Sequence, residues 1–196
     1  MREEYELSNH LMRNLERISP ENSIFNYKSG RKAFLSLGQG NINEWLDTFL
    51  PNTRIILEPK IIGSIIGIQY INGELKKVIN KNYQDLTENV RSLKVIPKNL
   101  PIKKRIEIQG VLYDCKTTSN KKNQTEFIDI QNFKSQSKKL NFCAFQICHC
   151  NINHYQALQE LKQLNFEIPQ TQFTNFISDI DIYLQCWREG KLFTSY

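Results

Sequence analysis

Lys60 is a candidate reactive residue because of its position in the sequence. It lies between an apolar segment at 54–58 and a turn that contains Gly63. Loops at strand ends are where a rigid scaffold presents reactive groups. A lysine in such a loop is otherwise a solvent-facing side chain, as most charged residues are. The local pattern leaves both interpretations of Lys60 open.

A second group of residues, near position 150, has side chains that bind metal ions or act as thiol nucleophiles. Its members are Cys143, Cys148, His149, Cys150 and His154. On a strand, Cys148 and Cys150 would share one face while His149 would point to the other. Structural zinc sites usually combine one Cys-x2–4-Cys pair with a second pair, and the sequence contains no second pair. We therefore expect buried, reduced thiols here and no metal site.

Basic residues are concentrated in one part of the chain. The 196 residues include 26 Lys and Arg against 20 Asp and Glu, a formal net charge of +6. Residues 91–140 alone hold twelve basic and four acidic side chains, a local balance of +8. This pattern is the expected footprint of a polyanion partner, and solvated lysine-rich loops would give it as well. The candidate polyanion contacts are Lys103, Lys104, Arg105, Lys121, Lys122, Lys134, Lys138 and Lys139.

Composition excludes several classes of protein. With 40% hydrophobic and 23% charged residues, the chain is neither a disordered tail nor a fibre. No stretch approaches 18 consecutive apolar residues, so no membrane helix is predicted. The first nine residues carry three glutamates and no apolar segment, unlike a signal peptide. We expect a cytoplasmic protein with reduced cysteines and no membrane partner.

The elements that must position these residues follow from apolar periodicity. Predicted helices cover 3–17, 43–50, 157–164 and 177–189, with a helix or turn at 86–92. Predicted strands cover 54–58, 63–70, 75–80, 106–113 and 142–150. Asn72-Gly73 predicts a tight hairpin, because both residues tolerate positive φ. Together these elements predict an α+β fold with mostly antiparallel sheets and flanking helices.

In the same order, these segments resemble the adenylation domain of NAD-dependent DNA ligases. Residues 58–63, Glu-Pro-Lys-Ile-Ile-Gly, are similar to the family pattern Glu-Pro-Lys-x-Asp-Gly, and residues 87–91 reproduce its Thr-Glu-Asn-Val-Arg segment. Shorter similarities occur at 4–7, 34–37, 106–113 and 142–145. The resemblance implies a DNA-ligase-like nucleotidyltransferase fold. Residues 1–20 would be a remnant N-terminal helix, and residues 21–196 an adenylation-like domain lacking its final strand and motifs.

The resemblance also implies a role for each matched residue. Lys60 would attack the α-phosphate of NAD, expel nicotinamide mononucleotide and become a lysyl-AMP adduct. The basic stretch would contact the DNA backbone, and NAD or AMP would be the ligand. The residues that would line the adenine pocket are Ser36, Leu37, Glu58 and Ile61, with Phe145 stacked on the base.

Departures from the family pattern fall on its catalytic positions. Ile62 stands where the family has aspartate, and Gln109 and Val111 stand where it has the arginine and glutamate of Arg-Gly-Glu. An isoleucine offers no lone pair, and a valine cannot hydrogen-bond a ribose hydroxyl. The sequence therefore predicts a catalytically inactive adenylation-like protein that binds DNA or a DNA-repair partner.

Two alternatives stay open from the sequence. One is a nucleotidyltransferase that still forms the lysyl-AMP adduct at Lys60, alone or with a second polypeptide. The other is a sensor module that binds an adenine nucleotide without chemistry. An antiparallel sheet that lacks a strand has an open edge, through which a protein partner or a second copy of the chain could pair.

Overall fold

The computed structural model of the chain describes residues 23–25, 53–114, 140–174 and 177–189. The chain divides into two compact units. The first comprises Met1–Phe34 and Ile61–Ile168, and the second comprises Leu35–Lys60 and Pro169–Tyr196. The predicted helices at 3–17 and 43–50 lie outside the described residues, and the predicted division at residue 20 stays a prediction. None of the described helices has the length and apolar character needed to cross a membrane.

The described chain contains six strands and three helices, and the strands pair in antiparallel sheets. The elements are β1 (Ile55–Leu57), β2 (Ser64–Ile71), β3 (Glu74–Asn80), α1 (Thr87–Arg91), β4 (Ile106–Asp114), β5 (Leu140–Cys148), α2 (His154–Gln163), β6 (Gln172–Thr174) and α3 (Ile177–Arg188). The α+β class predicted from the sequence is confirmed.

The first unit is built on a four-stranded antiparallel sheet in the order β3-β2-β4-β5. Its β2–β3 hairpin turns at Asn72 and Gly73, whose φ angles are 51° and 85°. A Cβ on Gly73 would lie 2.4 Å from the Leu100 carbonyl oxygen. Glycine is therefore required there for two reasons, the positive φ angle and the lack of space for a side chain. The predicted hairpin is confirmed. We call this end of the sheet the hairpin end and the opposite end, beside Gly63, the Gly63 end.

One helix and a set of aromatic rings close the core of the first unit. Helix α2 packs its buried residues against the sheet, where it lies beside β5. Phe166 meets Tyr70 and Phe142 edge-to-face, with ring centroids 6.3 and 6.0 Å apart. The Tyr70 hydroxyl donates to the Pro97 carbonyl at 2.7 Å, so the loop after α1 is tied to this core.

Helix α2 begins three residues earlier than its apolar pattern predicts. Asn153 accepts from the backbone N–H of Gln156 at 2.9 Å, and the Gln156 side chain accepts from the backbone N–H of Asn153 at 3.1 Å. This reciprocal capping box satisfies donors that an uncapped first turn would expose. Polar residues therefore set the start of the helix.

Irregular segments cover part of both outer strands of this sheet. Along β3, Leu86 donates its backbone N–H to Val78 O at 2.9 Å, and Val78 donates to the Thr87 hydroxyl at 2.9 Å. Along β5, Ala144 donates its backbone N–H to Glu167 O at 2.7 Å. These bonds occupy groups that an edge strand would otherwise offer to another chain. Pairing with a partner through an open edge stays a prediction.

The second unit contains the two-stranded antiparallel sheet of β1 and β6, followed by α3. The Thr174 hydroxyl donates to the Asp179 carboxylate at 2.6 Å, which ties β6 to the first turn of α3. Strands β1 to β5 match the predicted strands closely, but β6 is not predicted. Its three residues, Gln-Phe-Thr, are too few to establish an alternating pattern.

Candidate functional site

Lys60 follows β1 and is the last residue of the first segment of the second unit, Leu35–Lys60. Its side chain is exposed and makes no hydrogen bond or ion pair with any residue that the structure describes. The predicted placement after a strand is observed, since β1 ends at Leu57. A nucleophilic role for Lys60 stays a prediction.

Glu58, two residues before Lys60, is held by other groups of the second unit. The Thr171 hydroxyl lies 3.4 Å from Glu58 Oε1 and 2.9 Å from the Pro169 carbonyl oxygen, and it can donate to either. Tyr183 of α3 is only 4% exposed, and its hydroxyl has no hydrogen-bond partner among the described residues. Burial, together with the negative charge of Glu58, raises the pKa of Tyr183 to about 12. The phenol next to Glu58 is therefore neutral at physiological pH.

Sequence patterns do not reveal Tyr183. It lies on a helix whose apolar spacing indicates only packing, and Ile180 one turn earlier is buried as well. A buried polar atom without a partner becomes visible only when the surrounding groups are in place.

Ile61, Ile62 and Gly63 lead into β2 of the first unit. Ile61 is half-buried, whereas Ile62 exposes 60% of its surface to solvent. A Cβ on Gly63 would lie 2.3 Å from the Leu112 carbonyl oxygen and 2.7 Å from a methyl group of Val111. Close packing on β4 therefore requires this glycine, independently of any chemistry at Lys60.

The segment Gln109-Gly110-Val111 lies inside β4, with all three residues buried. A Cβ on Gly110 would lie 2.2 Å from the Phe142 ring, so this glycine too is required by packing. The β4–β5 pairing passes from Gln109↔Gln146 to Gly110↔Ala144 and leaves Phe145 unpaired in a β-bulge. Phe145 is half-buried. Bulges redirect side chains and are frequent next to binding sites, although the sequence pattern of β5 contains no sign of this one.

The predicted nucleotide-binding residues are divided between the two units. Glu58 and Lys60 belong to the second, and Ile61 and Phe145 belong to the first. Ser36 and Leu37 lie outside the described residues. The adenine pocket therefore stays a prediction for all of them.

The predicted polyanion contacts differ from one another in their surroundings. Lys103 and Lys104 are exposed, whereas the guanidinium of Arg105 is turned to the fold. Arg105 donates from Nε and Nη2 to Glu107 Oε1, at 3.0 and 2.6 Å. The remaining predicted contacts, Lys121, Lys122, Lys134, Lys138 and Lys139, lie outside the described residues.

Glu107 is the centre of a buried polar cluster that the sequence patterns do not predict. Its carboxylate is fully buried and also accepts from the Ser23 hydroxyl at 2.6 Å and from the Ile24 backbone N–H at 3.0 Å. The Gln69 amide donates to it at 3.1 Å, and Arg105 Nη2 donates to the Ser23 hydroxyl at 2.7 Å. The one sequence signal is a glutamate inside the apolar strand Ile-Glu-Ile. Arg105 therefore has a structural role whether or not it contacts a polyanion.

The cysteines near position 150 lie in or next to the core. Cys143 and Cys148 are buried, and Cys150 is half-buried against the core. Burial, with a smaller contribution from the negative charge of Glu107, raises the pKa of Cys148 to about 12, which disfavours the reactive thiolate. Over the described ranges, no three His, Cys, Asp or Glu side chains are grouped as a metal site would require.

Comparison with known proteins gives a consistent result. A DNA ligase of Metamycoplasma arthritidis is 30% identical over 110 residues, covering 50% of this chain and 16% of that protein. The DNA ligase of Mycoplasma capricolum is 28% identical over 166 residues, or 71% of this chain and 25% of that protein. The DNA ligase of Campylobacter jejuni subsp. doylei is 26% identical over 176 residues, which cover 77% of this chain and 27% of that protein. No protein-family model matches the chain.

These matches cover about a quarter or less of the length of the first two relatives, and little more than a quarter of the third. Over most of its own length, however, the chain aligns with DNA ligases. The resemblance predicted from the motifs is confirmed, and the chain contains a DNA ligase-like domain.

Proposed function

We propose that this protein is an adenylation-like relative of NAD-dependent DNA ligases that no longer transfers a nucleotide and acts by binding DNA or a DNA-repair partner. The observation that carries the proposal is the chemistry of the motif positions. Ile62 is an exposed apolar side chain at a position where the resemblance implies a carboxylate. Val111 is a buried apolar side chain at a position where the resemblance implies a ribose-binding glutamate.

Transfer of AMP to a lysine needs a deprotonated amine held beside the phosphate and cations that neutralise the phosphate charge. Lys60 is exposed to water, and no described side chain holds it in place. Gln109, at the position of the family's arginine, is buried and uncharged, and hydrogen-bonds to Cys148. These side chains do not fit the phosphate and ribose of NAD.

Binding to DNA is supported by the charge of the chain. Lys103 and Lys104 are exposed cations, and the whole 91–140 stretch has a balance of +8. Contacts of lysine with backbone phosphates give affinity without sequence preference, because they release condensed counterions and read no base edge.

The expected result of an adduct assay is that no label becomes attached to the protein. The chain is incubated with adenine-labelled NAD and, separately, with labelled ATP, each with Mg²⁺, and protein-bound label is measured after denaturation. Lys60→Ala is the matched control, since it removes the one amine that the motif marks. Stable label on the natural chain that disappears in Lys60→Ala would overturn the proposal and favour the nucleotidyltransferase alternative.

A nucleotide sensor is a second candidate, and the surroundings of Phe145 favour it. The half-buried ring lies in a β-bulge and keeps an aromatic face that a base could stack on. Titration calorimetry with AMP, NAD and ATP tests this function. Heat that is lost in Phe145→Ala would support it, and no heat at millimolar ligand would dismiss it.

A further inference from the structure

The loop between α1 and β4 brings basic residues to the hairpin end of the first unit. Residues 92–105, which form this loop, contain five basic side chains and no acidic one. Leu75 donates its backbone N–H to Lys98 O at 3.0 Å, and Leu100 donates to Gly73 O at 2.7 Å. Lys98 therefore lies beside the start of β3, next to the turn.

Lys103 and Lys104 reach the same end from the other side of the turn. They come directly before β4, whose first residue, Ile106, pairs with Tyr70 near the end of β2. The Ile102 carbonyl oxygen would lie 3.2 Å from a Cβ on Gly73, so the loop passes close to the turn just before these lysines. Lys98, Lys103 and Lys104 are all exposed. We call these three residues the hairpin-end lysines.

Charge at the hairpin end is not cancelled by the neighbouring acidic groups. Glu74 forms an ion pair with Lys76, and Glu107 forms one with Arg105. Lys98 and Lys103 have no ion pair with a residue that the structure describes. Because each of these two ion pairs has no net charge, Lys98 and Lys103 leave a positive surplus among the described side chains at this end.

The hairpin end is far from the end of the sheet to which the Lys60 motif leads. Strand β2 runs from the Gly63 end to the hairpin end in eight residues. At about 3.3 Å per residue it spans about 25 Å, which is two to three times the screening length of roughly 8–10 Å at physiological salt. A ligand at one end of β2 is therefore electrostatically independent of the other end.

We propose that the hairpin-end lysines form a contact surface for the phosphate backbone of duplex DNA, separate from the nucleotide motif. The inference rests on the proposed DNA-binding function and assigns its location. It excludes Arg105 as a main contact, because that side chain donates to Glu107 and Ser23. A flexible lysine on an exposed loop neutralises a phosphate as a point charge and needs no built pocket.

Binding is measured by fluorescence anisotropy, with the full chain and a labelled duplex of about 30 base pairs, at salt concentrations from about 50 to 200 mM. One double variant carries Lys98→Gln and Lys103→Gln. The matched control carries Lys81→Gln and Lys162→Gln, which remove the same charge at exposed positions outside the hairpin end. Circular dichroism verifies that both variants keep the fold.

We expect the hairpin-end variant to lose about tenfold or more in affinity at 0.1 M salt, and the slope of log affinity against log salt to fall by about 2. The control keeps the natural affinity within about threefold. Equal losses in both variants would mean that only net charge matters and would overturn the location. Unchanged affinity of both variants would also overturn it while leaving DNA binding intact, and failure of the natural chain to bind the duplex would overturn the proposed function itself.

Discussion

Replacing Arg105 with methionine is expected to lower the free energy of unfolding by about 3–5 kcal/mol. Methionine keeps much of the apolar stem but removes the guanidinium that donates twice to Glu107. The Glu107 carboxylate has no exposed surface, so its charge would be left in the interior without the guanidinium. The donors that remain are those of Ser23, Ile24 and Gln69, and His149 Nε2 lies 4.0 Å from Glu107 Oε2. Breaking a buried pair from one side is costly, because the remaining charge has lost water as well as its partner.

The measurement is urea-induced unfolding of the purified chain, followed by circular dichroism. Arg91→Met is the matched control, since Arg91 forms an exposed ion pair with Glu88 at 3.1 Å. That variant should change stability by less than about 1 kcal/mol, because solvent already screens the pair. A cost of Arg105→Met no larger than that of Arg91→Met would contradict the structural role of the buried pair.

A second variant distinguishes two causes of the lost stability, the uncompensated charge of Glu107 and the lost packing of the arginine stem. Adding Glu107→Gln to Arg105→Met removes the buried charge and keeps an oxygen that accepts from Ser23 and Gln69. We expect the double variant to be more stable than Arg105→Met alone, because the uncompensated charge is the main cost. If lost packing of the arginine stem were the cause, the second substitution would give no recovery.

Gly110→Ala is expected to lower the free energy of unfolding by about 3 kcal/mol, at the upper end of the range for overpacked cores. The added Cβ would lie 2.2 and 2.5 Å from two ring carbons of Phe142 and 2.6 Å from the Cys143 carbonyl oxygen. The ring is fully buried and the carbonyl belongs to the backbone of β5, so neither can move aside without disturbing the sheet. The variant therefore strains the pairing of β4 with β5.

Thermal and urea unfolding of Gly110→Ala, Phe142→Leu and the double variant test this explanation. Leucine removes the ring atoms that the new methyl group would meet, so the double variant should cost clearly less than the sum of the two single changes. Additive costs would show that the clash with Phe142 is not the cause. This test also bears on the motif, since it asks whether the glycine between Gln109 and Val111 is needed for packing alone.

The hairpin and the main strands could be predicted because their signals are local. Asn72 and Gly73 both take positive φ, and few residue pairs other than Asn-Gly or Asp-Gly do so easily. Strands β2 and β4 are long enough for their apolar runs to be recognised. By contrast, β6 has three residues, and its pairing with β1 joins segments more than a hundred residues apart in the chain. No local pattern encodes such a pairing.

The candidate site was predictable only as far as motifs extend. Similarity of residues 58–63 and 87–91 to DNA ligases is enough to mark Lys60 and Glu58 as candidates. Tyr183, whose pKa is raised in part by the charge of Glu58, belongs to no motif and could not be found in that way. The bulge at Phe145 depends on the register between β4 and β5, which is a property of the pair of strands and not of either sequence.

By itself, the sequence determined the α+β class, the hairpin, the resemblance to DNA ligases and the loss of polar side chains at Ile62 and Val111. These features depend on residue type and on neighbours close in the chain. Only the tertiary structure decided that Arg105 is bound to the fold while Lys98 and Lys103 stay in solvent at the hairpin end. The physical reason is that a cation's role depends on whether a carboxylate lies within hydrogen-bond distance. For Arg105 that carboxylate is Glu107, which long-range contacts with Ser23 and Gln69 hold in the interior.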